Sequence, residues 1–139
     1  MIPAYIAGPF AGPTPEAIAE NVRRAVNLAR WAVRQGYAPE CVHTSIAAGC
    51  YGDDANPEDR ERGLRICEAR VTMTAKAGGV LLASYLDEPG PDGSPLSSGT
   101  YREYLAFQSA YVPRHSLDSW RNAVKVHTWA EWVALGVAP

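Results

Sequence analysis

Nowhere in its 139 residues does the chain carry the roughly 20 consecutive apolar residues that a membrane-spanning helix needs. The N-terminus lacks the form of a signal peptide, because Met1-Ile2-Pro3 leads into a short strand with no basic region ahead of an apolar stretch. A soluble protein without a membrane partner is expected, with a cytoplasmic location by default. Charge of one sign is also missing: 13 basic residues face 15 acidic ones, for a formal net charge of −2. That balance disfavours a sequence-independent grip on nucleic acid polymers, which needs a dense basic surface to release counterions. Small molecules are the favoured partners. Cysteine is scarce, and Cys41, Cys50 and Cys67 are odd in number with no CxxC spacing. This argues against a zinc site and against a complete disulfide framework. Cys41 and His43 could share a ligand cluster with Cys50, but the alternation of inward and outward residues on a strand explains the first two more simply, so neither metal nor cofactor is expected. No linker or internal repeat divides the chain, whose length suits one domain with a core of its own.

What is present is an alternation of strand and helix signals. Tyr5-Ile6-Ala7 reads as a strand ending at Gly8-Pro9, and Thr14-Pro15 offers an N-cap and a first helical residue. Ile18, Val22, Ala25, Val26, Ala29, Ala32 and Val33 recur at helical spacing until Gly36. Tyr37 to His43 reads as a second strand, which Pro39 assigns to a sheet edge. Thr44 to Ala55 has the composition of a loop. Asn56-Pro57-Glu58-Asp59 then starts a helix whose buried stripe is Leu64, Cys67, Val71 and Ala75, stopped by Gly78-Gly79. Val80-Leu81-Leu82-Ala83 is apolar throughout, as in a strand covered on both faces. After a Pro/Gly-rich acidic loop comes a helix holding Glu103, Ala106, Phe107 and Ala110, which runs to Pro113. A polar connection leads to the strand Val124-Lys125-Val126-His127, and Thr128-Trp129-Ala130-Glu131 has the form of a capping box opening a last helix.

Roughly four strand-helix units joined by right-handed crossovers imply a three-layer α/β domain with a Rossmann-like or flavodoxin-like parallel sheet of order 2-1-3-4. The order reverses between the first and third strands, and a ligand crevice is expected there. Two loops leave that end of the sheet, Gly8 to Pro13 and Ser84 to Ser98. Gly8, Pro9 and Gly12 let backbone approach a ligand closely. Ser97 or Ser98 can cap the following helix, and the same hydroxyls and exposed N–H groups accept phosphate or sugar oxygens. Glu103, one turn into that helix, shares a face with Phe107 and Ala110 and so points at the crevice.

The strand-borne YIAGPF, an amphipathic helix and the later SSGTYRE together resemble the nucleoside 2-deoxyribosyltransferase superfamily, which includes deoxynucleoside monophosphate N-glycosidases. The resemblance spans most of the chain. It implies that Glu103 attacks the anomeric carbon of a deoxyribosyl group and that Ser97, six positions earlier, contacts the 5′ end of the sugar. It further implies that Ser98, Gly99, Gly8 and Pro9 shape the pocket, that Tyr5 faces the sugar and that Phe10 stacks on a base. A serine at position 97, where transferases of the family tend to have an acid, tilts the implied substrate towards nucleotides. Where the family usually carries an aspartate near the third strand, this chain reads Ala77-Gly78-Gly79, which leaves Asp87, Asp92 and His43 as general-acid candidates. The resemblance also implies a homodimer or larger homo-oligomer, with Trp129 and Trp132 as interface anchors or, equally, core residues. Two other readings stand beside the enzyme: a nucleotide-binding module without catalysis, and an interaction protein that uses the acidic loop Asp87 to Asp92.

Overall fold

Val80, Leu81, Leu82 and Ala83 are all buried because their strand is flanked on both sides and covered on both faces. The structure, a computed structural model, describes residues 1–139. Four strands, β1 (Ile2–Ala7), β2 (Tyr37–Glu40), β3 (Val80–Ser84) and β4 (Val124–His127), form one parallel sheet of order β2-β1-β3-β4. Six helices accompany them: α1 (Pro15–Arg34), α2 (Val42–Ala47), α3 (Pro57–Lys76), α4 (Ser98–Tyr111), α5 (Leu117–Ala123) and α6 (Trp129–Ala134). The chain is thus the expected three-layer α/β fold. No helix is long and apolar enough to cross a membrane.

Strand alternation distributes the core between two layers. Ala4, Ile6, Val80 and Leu82 face Ala25, Leu28 and Ala32 of α1 and Trp132 of α6. Tyr5, Ala7, Leu81 and Ala83 face the other way, onto Val42 of α2, Cys67, Val71 and Ala75 of α3, and Phe107 and Tyr111 of α4. Trp132 is fully buried and its indole N–H donates to the Ala83 carbonyl at 3.0 Å, so it is a core residue and not an interface anchor. Trp129 is half-buried, with the Arg24 guanidinium 5.2 Å from its ring centre.

The local signals act as capping chemistry requires. Thr14, Asn56 and Ser97 accept from backbone N–H groups in the first turns of α1, α3 and α4, and Thr128 with Glu131 completes a capping box on α6. Gly79 is held by its surroundings: a Cβ there would lie 2.4 Å from the Pro3 carbonyl oxygen and 2.7 Å from Thr74 Cγ2. Two short helices depart from the expected pattern. β2 ends at Glu40 and not at His43, and Val42–Ala47 is helical where a strand end and a loop were expected. As an edge strand β2 has one neighbour, and its register with β1 ends at the Tyr5–Glu40 pair. Beyond it Val42 and Ile46, four residues apart, reach the core on one helical face. The polar connection before β4 likewise contains α5, capped by Ser116 and anchored by Trp120 and Ala123.

Candidate functional site

The crevice opens at the carboxyl ends of β1 and β3, where the chain leaves Ala7 into Gly8-Pro9-Phe10 and Ser84 into the long loop before α4. A cavity of about 200 Å³ lies there on the α3/α4 side of the sheet, and Glu103 lines it. Thr100, Glu103, Phe107 and Tyr111 form the buried stripe of α4, so the helical period that seats Phe107 in the core also turns the carboxylate inward. Gly8, Pro9, Phe10, Ser97, Ser98 and Gly99 line the same cavity, as does His43. Ser97 Oγ accepts from Thr100 N at 3.2 Å and lies 2.7 Å from Thr100 Oγ1, which ties the mouth of the cavity to the helix start.

Glu103 is 6% exposed and its Oε2 has no hydrogen-bond partner. Burial pushes its carboxyl up to about 8; the nearby Tyr5 hydroxyl works against this, and the negative charge of Glu68 adds to it. Tyr5 does not line the cavity. It is fully buried behind Glu103, its hydroxyl also lacks a hydrogen-bond partner, and burial followed by the Glu103 charge raises its pKa well above the ordinary tyrosine value. The Cys67 thiol shares this floor and is pushed up to about 12, first by burial and then by Glu103. It is therefore a protonated, unreactive thiol at neutral pH. The three side chains form a buried base under the cavity with no cation among them.

His43 belongs to α2 and is 2% exposed. Its Nε2 lies 3.1 Å from the Gly8 carbonyl oxygen and 3.3 Å from that of Pro9, so the N–H of that nitrogen donates to the turn. Burial lowers its pKa, with the two carbonyls opposing. The ring is a neutral brace for the Gly8-Pro9 backbone, which limits its use as a general acid. The other two acid candidates lie elsewhere. Asp87 lines a second cavity, of about 430 Å³, on the α1/α6 side, where both its oxygens accept from Arg24 Nη1 at 2.9 Å. Asp92 lines neither cavity and accepts from Ser94 N within its own loop. The two cavities meet at Gly8, Pro9, Ala11, His43 and Leu86, so the first turn separates two lobes of one crevice.

Arg60 and Asp54 also line the Glu103 lobe, joined by an ion pair of 3.0 Å. Neither stood out in the sequence. A signal for Arg60 was there, because it precedes Leu64, Cys67 and Val71 on one helical stripe of α3. Ala77-Gly78-Gly79 carries no acid, and the crowding around Gly79 leaves no room for a side chain at that position. The three cysteines are free, and no group of three or more His, Cys, Asp or Glu side chains converges as a metal-ion site.

Compared with known proteins, residues 3–81 match the model of a family described as a domain of unknown function (DUF7768). No curated protein and no solved structure matches the chain.

Proposed function

This chain belongs to the DUF7768 family, and from the chemistry of its crevice we propose that it cleaves or transfers the N-glycosidic bond of a deoxynucleoside or a (deoxy)nucleoside 5′-monophosphate, with Glu103 as nucleophile. One observation carries the reading: a nine-tenths-buried carboxyl with an unpartnered oxygen lines a cavity at the switch point of a parallel sheet. The likeness of YIAGPF and SSGTYRE to the nucleoside 2-deoxyribosyltransferase superfamily supports it.

Breaking a glycosidic bond builds oxocarbenium character at the anomeric carbon, which a carboxylate stabilises best in a dry site and can trap covalently. Glu103 must first lose its proton, which burial holds on up to a pH of about 8. Tyr5 stands behind it as the group able to hydrogen-bond the ionised form. Ser97, Ser98 and the first N–H groups of α4 receive the 5′ end of the sugar, and the one guanidinium lining this cavity, Arg60, is held by Asp54. Phe10, at the cavity wall, offers a face for the base. Water or a second base then releases the sugar from Glu103.

The test is to incubate the protein with a panel of nucleosides and 5′-monophosphates and to follow free base by chromatography beside Glu103→Gln. Base release by the parent that is lost in the variant is expected. The rate should climb as pH rises towards 8, because only ionised Glu103 attacks. Release that persists in the variant removes Glu103 from the chemistry. A nucleotide that raises the melting temperature without any base release would favour a binding module instead.

A further inference from the structure

The ionisable groups that line the crevice are unevenly matched. In the Glu103 lobe Arg60 is paired with Asp54, and in the neighbouring lobe Arg24 is paired with Asp87. Both arginines are thereby taken, and the carboxyls left over are Glu88 and Glu103. Glu103 is the buried one. From β1 it meets Tyr5 and from α3 it meets Cys67 and feels Glu68, which is itself held by Arg102. The protein thus supplies no cation to the one carboxyl it buries.

With Glu103 assigned to the sugar and Glu88 exposed in the other lobe, few proton donors remain. Asp54 and Asp87 are each engaged by a guanidinium group, Arg60 and Arg24 respectively. His43 commits its Nε2 proton to the Gly8 and Pro9 carbonyls. An ordinary nucleobase leaves its sugar readily only when a positioned acid protonates it, a contribution of about 10²–10⁴-fold.

We propose that the bond broken here joins the sugar to a ring nitrogen that already bears positive charge, as in an N-ribosyl pyridinium or an N7-alkylated purine nucleoside. This rests on the glycosidic reading of Glu103 and specifies its substrate class. The cationic ring provides the missing partner for Glu103, and the Glu103 proton passes to solvent as the ligand enters. The carbon–nitrogen bond then breaks with its electron pair returning to the ring nitrogen, which cancels the charge, while a Glu103 oxygen bonds the anomeric carbon. The base departs neutral with no proton added. Water next adds to the anomeric carbon, gives its proton to solvent and frees Glu103 as a carboxylate.

Matched pairs that differ in charge test this: nicotinamide riboside against its uncharged dihydro form, and 7-methylguanosine against guanosine, each also as the 5′-monophosphate. The cationic member should release base at least about 100-fold faster than its neutral partner, after correction for the uncatalysed rates, since the neutral one lacks its acid. Calorimetry at pH 7 in buffers of different ionisation enthalpy should show about one proton released as the cation binds the parent protein, and none with Glu103→Gln. Neutral members cleaved as fast as cationic ones would overturn the charge requirement while leaving the glycosidase reading intact. Binding of the cations without cleavage, or without proton release, also overturns it. Base release from no member of either set would defeat the glycosidase reading and this inference with it.

Discussion

Replacing Glu103 by glutamine should change the way stability depends on pH, whatever the substrate. In the unfolded chain the carboxyl titrates near its ordinary value of 4.5, whereas burial holds it at about 8 in the folded protein. Between those two values the folded state keeps a proton that the unfolded state has lost. Stability contributed by this group is therefore complete below pH 4.5 and is lost progressively up to about 8. At about 1.4 kcal/mol for each tenfold change in proton activity, that window amounts to about 5 kcal/mol, a large part of the stability of a domain this size. Glutamine keeps the shape and stays neutral, so the variant escapes the loss. Urea unfolding at intervals from pH 5 to 9 measures the difference between variant and parent, which cancels the titration of all other groups. The variant should gain on the parent steadily as pH rises, by about 5 kcal/mol across the window, and level off above it. A difference that is flat across this range would refute the reasoning, because it would mean that the Glu103 carboxyl reaches water.

Ser97→Ala should lose about 1 kcal/mol by urea unfolding, because Thr100 N loses its cap. Ser97→Asp should keep the cap yet raise the KM for a 5′-monophosphate more than for the nucleoside, and equal effects on both would remove Ser97 from phosphate contact. Gly79→Ala drives a methyl group against the Pro3 carbonyl and Thr74 and should destabilise the fold by about 1–3 kcal/mol; a fully stable variant would show that β1 and α3 move apart freely.

The fold was legible because its decisive signals are local. Val80-Leu81-Leu82-Ala83 declares a central parallel strand by having no polar alternation, and Pro39 sends β2 to the edge because it cannot donate to a ladder. Thr14-Pro15, Asn56-Pro57 and Thr128 with Glu131 carry helix starts in their own chemistry. α2 and α5 escaped for the opposite reason: each is under two turns long and rests on two apolar contacts made with distant elements. The candidate site divides the same way. Glu103 could be placed because its helical stripe continues through Phe107, and Ser97 because it caps α4. Arg60 and Asp54 reach the cavity only after α3 packs beside α4, and Asp87 is taken to the second lobe by an arginine 63 residues away. His43 changed role because the chain turned into a helix one residue before it, which pointed its ring at the Gly8-Pro9 carbonyls.

The central claim is that Glu103 bonds the sugar, and intact-mass spectrometry after incubation with a 2′-fluoro nucleoside bearing a good leaving group tests it most directly. The fluorine slows both formation and breakdown of the adduct, and the activated leaving group restores formation. The account predicts a mass gain of one fluoroglycosyl unit, located by proteolysis on the peptide that carries Glu103 and absent from Glu103→Gln. Base release without any adduct on that peptide, or an adduct on another residue, would contradict it.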